Sequence, residues 1–203
     1  MRDKYHRKDN LKLFFYPEEW TKIMAKAKPK QAETFMMLIN TGARFNEAKN
    51  VQVQDIDFVR NNLILRVTKI KAKKGETRSN PRHIPISRRF TLFLKKQVKD
   101  HNLQPTDYFP MLQNPMSNIA IKNLAKDIGR QDWKDFSCHN IRKTFECWLL
   151  ALGVDGFKVA KHMGHTAQVA MNDYISADIF TYDDKKQIRE ILGDLYGYTE
   201  RRF

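Results

Sequence analysis

Apolar side chains recur along this chain at two spacings, and the switches between them mark out the elements. Phe35, Leu38 and Ile39 return at three- and four-residue steps and predict a helix over about 30–41, closed by Gly42. Upstream, Pro17-Glu18-Glu19-Trp20 reads as a helix start, with proline at the first position and acids in the first turn. Leu63-Ile64-Leu65-Arg66-Val67-Thr68 has strand composition, and His83-Ile84-Pro85-Ile86 is its expected partner across a long basic loop holding Gly75 and Pro81. Helical spacing resumes over about 88–100 with Phe90, Leu92, Phe93 and Val98. Residues 101–116 carry Pro105, Pro110 and Pro115 and read as loop, after which Ser117-Asn118 caps a helix to about Gly129. Further helices are expected around His139 up to Gly153, from about Asp155 to Met163, and over roughly 183–196. In the last of these Ile188, Ile191, Leu192 and Leu195 form an apolar stripe. The fold class is mainly α with a small antiparallel β-sheet (α+β).

Charge adds a partner to this picture. The 203 residues include 37 Lys and Arg against 23 Asp and Glu, net +14, a balance that points to a polyanion and most often to nucleic acid. Plain colloidal solubility is the bland alternative. The charge is unevenly placed. Residues 66–99 hold twelve Lys or Arg and one acid, Glu76, a local net of +11. From Asp183 to Arg202 five basic residues cancel five acidic ones, so that segment is not a nucleic-acid arm. Cys138 and Cys147 match no metal spacing and read as buried thiols in a reducing compartment. The opening MRDKYHRKDNLK is charged throughout, unlike a signal peptide, and no run approaches the roughly 18 apolar residues of a membrane span. A cytoplasmic protein associated with nucleic acid is expected.

The stretch from Cys138 to Tyr174 carries the candidate chemistry. His139 and Arg142 are three apart and share a helical face, so both reach one point. Arg142 can present two parallel N–H groups to an anion, and a histidine can donate or accept beside it. His162 and His165 follow, then Tyr174, whose phenolic oxygen is a nucleophile once its proton is removed. HMGH lacks a third ligand for a metal, which leaves His162 to packing or the surface. Earlier, Arg44 and Glu47 in TGARFNE are again three apart, and alone would be an ordinary surface ion pair. Arginine, histidine and tyrosine together suggest phosphoryl transfer onto a tyrosine.

HNIR, HMGH and NDYI at these spacings, with TGARFNE upstream, resemble the tyrosine recombinase (phage-type integrase) family. His165 to Tyr174 is nine residues, as in that family, and Met163 stands where leucine is usual. The resemblance runs from about residue 13 to 175. It implies an integrase-like catalytic domain acting as a site-specific DNA recombinase through a 3′-phosphotyrosine, with neither metal nor other cofactor. Tyr174 is the implied nucleophile, Arg44 and Arg142 the phosphate clamps, His139 and His165 the assisting histidines, and Glu47 a buried support. A hairpin lysine is the implied general acid: the strand end favours Lys69, and the long loop leaves Lys71 as the alternative. Lys71, Lys73, Lys74, Arg78 and Arg82 are expected on DNA. The implied partners are double-stranded DNA and, when synapsed, further copies of the chain in a tetramer. Type IB topoisomerase-like relaxation and a non-catalytic DNA-binding protein of the same fold are the alternatives. The expected division is a basic lead-in or linker stump at 1–12, the catalytic domain at 13–178, and a helical tail at 179–203 open to exchange between protomers. The abrupt basic start favours a fragment, with an unusually small member as the other reading.

Overall fold

A computed structural model describes residues 13–66, 81–164 and 179–197. Its helices are α1 (Pro17–Lys26), α2 (Pro29–Thr41), α3 (Phe45–Lys49), α4 (Arg88–Asp100), α5 (Asn114–Asp127), α6 (Cys138–Ala151), α7 (Gly156–Met163) and α8 (Tyr182–Leu192). Three short strands, β1 (Ile56–Asp57), β2 (Asn62–Leu65) and β3 (Arg82–Pro85), form one antiparallel sheet in that order. Leu63 sits opposite both Ile56 and Ile84, which puts the three apolar side chains into one cross-strand row facing the core. The expected mainly α architecture with a small antiparallel sheet is the one observed. Among the described residues no helix is long and apolar enough to cross a membrane.

The centre of the fold is α6. Twelve of its 14 residues are buried, and only His139 and Lys143 remain open. Its apolar residues and its buried polar ones (Asn140, Arg142, Thr144 and Glu146) are covered alike, and α2, α5, α7 and α8 pack around it. The segment entering α1 closes the remaining side. Asn140 Nδ2 donates to the Leu13 carbonyl (3.0 Å), Thr144 Oγ1 accepts the Phe15 N–H (2.9 Å), and Trp148 Nε1 donates to the Phe15 carbonyl (3.0 Å). Residues 140, 144 and 148 are four apart on one helical face, so a buried helix serves an extended neighbour that has no strand partner there. Phe15 stacks on Phe136 and Trp20 meets Trp148 edge-on, which fixes α1 above this seam.

Several boundaries fall elsewhere than the pattern predicts. Helix α5 starts at Asn114, with Pro115 in the first turn, where its missing N–H costs nothing. Ser117 Oγ donates back to the Gln113 carbonyl, and Asn118 Oδ1 accepts the Cys138 N–H, so Asn118 caps α6 and not its own helix. In α4 the buried positions are Phe90, Thr91, Leu94 and Gln97, while Leu92 is exposed because two steps along a helix turn it away from Phe90. Strand β2 ends at Leu65. Helix α8 stops at Gly193, whose φ of 69° breaks it, and a 3-10 turn covers Leu195–Gly197. Its stripe still works: Ile188, Leu192 and Leu195 are buried and Ile191 is partly so, packed within this chain. Cys138 and Cys147 are both buried, as expected.

Gly42 ends α2 in the left-handed region (φ 56°), and a Cβ there would lie 2.3 Å from the Phe145 ring. Gly42→Ala should therefore lower stability by about 3 kcal/mol, the sum of left-handed strain and overpacking. Urea unfolding checks this; a parent-like midpoint would mean that α2 does not close against α6 in this way.

Candidate active site

Glu47 is the third residue of α3, and this position lets its carboxylate turn back to the helix entrance. Oε2 accepts the Arg44 backbone N–H at 2.9 Å, satisfying a donor that the helix itself leaves unpaired. Arg44 Nη1 reaches Oε1 at 2.9 Å, and Arg82 from β3 grips both oxygens, Nη1 at 3.0 Å and Nη2 at 2.8 Å. The carboxylate is buried. Burial alone would raise its pKa, but the Arg82 and Arg44 hydrogen bonds overturn that and hold it at about 2.

The end of α7 supplies the other half. Its last turn closes at Gly164 in the left-handed region, and three successive carbonyls meet guanidiniums from three elements. Arg82 Nε donates to His162 O (2.9 Å), Arg142 Nη2 to Met163 O, and Arg44 Nη2 to Gly164 O at 3.5 Å, the loosest of the three. These carbonyls have no helical partner and carry the negative end of the α7 dipole, so cations are at home there. Arg142 is buried and also donates to the Gly42 carbonyl at 2.7 Å, tying the end of α2 to the end of α7. Burial first, and then the Arg44 charge, push its pKa down to about 10, which leaves it cationic at neutral pH.

His139 lies one turn before Arg142, on the open side of α6. Its pKa is below the ordinary histidine value, first through desolvation by the surrounding helices and then through Arg142 and Arg44. It is therefore neutral at pH 7. His162 is buried, with Nε2 2.9 Å from the Thr41 carbonyl and Nδ1 2.7 Å from the Tyr196 hydroxyl. Burial brings its pKa down to about 4.

Four of the expected residues, Arg44, Glu47, His139 and Arg142, are thus brought together. Arg82, expected on DNA, has its guanidinium turned inward onto Glu47 and the end of α7. The signal was present, since Arg82 is two residues from buried Ile84 in a strand and so shares its inner side. His165, Tyr174, Lys69, Lys71, Lys73, Lys74 and Arg78 lie outside the described residues. His162 takes the packing role rather than a surface one, with Tyr196 as a partner that no local motif announces. Among the described residues no group of three or more His, Cys, Asp or Glu is placed to hold a metal ion.

A profile of the Phage integrase family matches residues 14–179. The chain belongs to the phage integrase family. It is 22% identical over 170 residues to tyrosine recombinase XerA of Pyrococcus furiosus, covering 84% of this chain and 56% of the relative. A crystal structure of XerA recombinase superposes with a TM-score of 0.62 at 16% identity, over 87% of this chain and 64% of that one. The Tn1549 transposon integrase, solved with transposon right end DNA, gives a TM-score of 0.62 at 19% identity, over 88% and 65%. This phage integrase chain thus spans little more than half the length of the curated relatives that it matches.

Glu47 makes the stability of this integrase domain pH-dependent. Its folded pKa is about 2 against an ordinary 4.5, so the unfolded chain takes up a proton first as pH falls. The stabilisation is complete above about pH 4.5 and fades toward pH 2, and amounts to about 3 kcal/mol. Glu47→Gln should remove it at pH 7 and flatten the acid limb over that window, measured by urea unfolding at a series of pH values. An unchanged limb would mean that Glu47 is not the buried anchor.

Proposed function

We propose that this chain is the catalytic domain of a site-specific DNA recombinase that cuts and rejoins strands through a 3′-phosphotyrosine. The observation that carries this reading is the convergence of Arg44 and Arg142 at the end of α7, one residue before His165, with neutral His139 one helical turn before Arg142. Double-stranded DNA is the substrate, and four copies of the chain act together at synapsis in the cytoplasm. The complex of the structurally similar Tn1549 transposon integrase with transposon right end DNA supports the choice of polymer.

In the reaction the Tyr174 oxygen attacks the scissile phosphorus, the bond to the 5′ oxygen breaks, and a 3′-phosphotyrosine forms. Charge accumulates on the non-bridging oxygens, where Arg44 and Arg142 supply fixed positive dipoles. Losing one such preorganised donor typically costs about 10²–10³ in rate. His139, neutral at working pH, is suited to take the Tyr174 proton. His165 donates to a non-bridging oxygen, and Lys69 protonates the leaving 5′ oxygen. The new ester keeps the energy of the broken bond, so another 5′ hydroxyl reverses the step without ATP. Residues 13–178 form the catalytic unit in this reading, and the tail from 179 onward adjoins it.

Incubation with a pool of nicked random-sequence duplexes, read on denaturing gels, tests the proposal and recovers the preferred site. A covalent adduct should form in excess EDTA, because guanidiniums take the charge-clamping role that metals fill elsewhere. Tyr174→Phe should keep DNA affinity within a few fold of the parent and form none; an adduct mapping to Tyr182, Tyr196 or Tyr198 would overturn the assignment. Strand exchange between two recovered sites, and not mere relaxation, is the expected outcome.

The general acid has its own test. Lys69→Ala should slow cleavage severely, yet cut nearly at the parent rate when sulfur replaces the leaving 5′ oxygen, because a thiolate departs without a proton. Rescue of Lys71→Ala and not of Lys69→Ala would move the acid two residues into the loop.

A further inference from the structure

The short turn after α8 reaches into the site's frame at one point. Tyr196 lies in the left-handed region (φ 64°, ψ 19°), where a bulky side chain is rare and persists only when its surroundings hold it. What holds it is visible. Its ring lies 5.8 Å from the His162 ring, and its hydroxyl is 2.7 Å from His162 Nδ1. On the other side His162 meets the Phe145 ring at 5.1 Å, the same ring that abuts Gly42.

The protons in this chain of bonds can be assigned. A carbonyl only accepts, so Nε2 carries the proton to Thr41 O, and Nδ1 accepts from the Tyr196 hydroxyl. The charged groups facing His162 are Arg82 from β3 and Arg142 from α6, both cationic and both favouring the neutral ring. Thr41 precedes Gly42, whose carbonyl takes Arg142, and the His162 carbonyl takes Arg82. The relay thus spans the junction from which the arginines hang.

We propose that Tyr196 is a positioning residue for the arginine site: its hydroxyl donates to Nδ1 of the Nε2–H tautomer that the Thr41 carbonyl selects, and so holds His162 where it pins the end of α7 to the end of α2. The segment after α8 becomes the latch of that junction, so its seating and the geometry of Arg44 and Arg142 rise and fall together. The claim concerns this chain's own frame. Its effect on DNA cleavage rests on the proposed recombinase activity.

Tyr196→Phe isolates the hydroxyl, because the ring and the backbone stay. Nitrogen NMR of the His162 ring should show a protonated Nε2 and a bare, hydrogen-bonded Nδ1 in the parent, and in the variant the Nδ1 signal should move downfield as its hydrogen bond is lost. Amide exchange at Gly42 and Gly164 should accelerate about tenfold, the equivalent of one lost buried hydrogen bond, while α4 amides hold their rates. His162→Leu, which also loses the bond to Thr41, should do at least as much, and the double variant should be no worse than His162→Leu, since Tyr196 acts through His162. His162→Gln, which can donate to Thr41 and accept from Tyr196, should restore most of the protection. Where adducts form, Tyr196→Phe should slow single-turnover cleavage with DNA affinity unchanged. A parent-like Nδ1 signal and parent-like exchange in Tyr196→Phe, or additive losses in the double variant, would overturn the proposal. A parent that forms no adduct, with the exchange result as expected, would instead sink the recombinase reading and leave the latch standing.

Discussion

Three guanidiniums crowded at one helix end repel each other, and the structure near the site is a solution to that repulsion. Arg44, Arg82 and Arg142 come from a helix entrance, a strand and a buried helix, and all three donate to the final carbonyls of α7. Glu47 neutralises one of the charges while tying two of the arginines together. An excess of two positive charges remains, part of it on half-exposed Arg44 and part on buried Arg142. The lowered pKa of Arg142 records the tension of holding that charge away from water. A bound phosphodiester would relieve it, which is why the arrangement favours an anion even before any is present.

The rest of the fold follows from the need to hold those donors still. Arg142 can be buried only on a helix that is buried, and α6 is buried on nearly every side. Gly42 and Gly164 adopt left-handed turns that leave their carbonyls for Arg142 and Arg44. Both are also tight: a Cβ at Gly42 meets Phe145, and one at Gly164 meets the Arg82 guanidinium at 3.1 Å. Helices α5 and α8 and the aromatic seam at Phe14–Trp20 supply apolar cover.

Much of this was legible in the sequence, and the reasons for the rest are specific. Helical periodicity located α2, α4, α6 and α7 because each has an amphipathic or fully apolar run with a glycine or proline at a boundary. The start of α5 was hidden because Pro115 serves a first helical turn as well as it serves a loop. Asn118 looked like a cap for its own helix, and only the packing of α5 on α6 shows that it caps the neighbour. His139 and Arg142 were readable from three-residue spacing, whereas Arg44 and Glu47 stood out from an ordinary surface ion pair only through the resemblance of TGARFNE to the family motif. The inward role of Arg82 was lost inside a basic run where composition suggested solvent and phosphate. The pairing of His162 with Tyr196 joins residues 34 apart in the sequence, and no local pattern encodes it.

The unfolding free energy of Arg82→Met at neutral pH tests the central claim most directly. Methionine preserves the aliphatic bulk but leaves Glu47 buried with half its partners gone. The account predicts a loss of about 3–5 kcal/mol, the usual consequence of stranding one member of a buried ion pair. Parent-like stability would contradict it, because Arg82 would then be one more surface cation and the end of α7 would be held by something else.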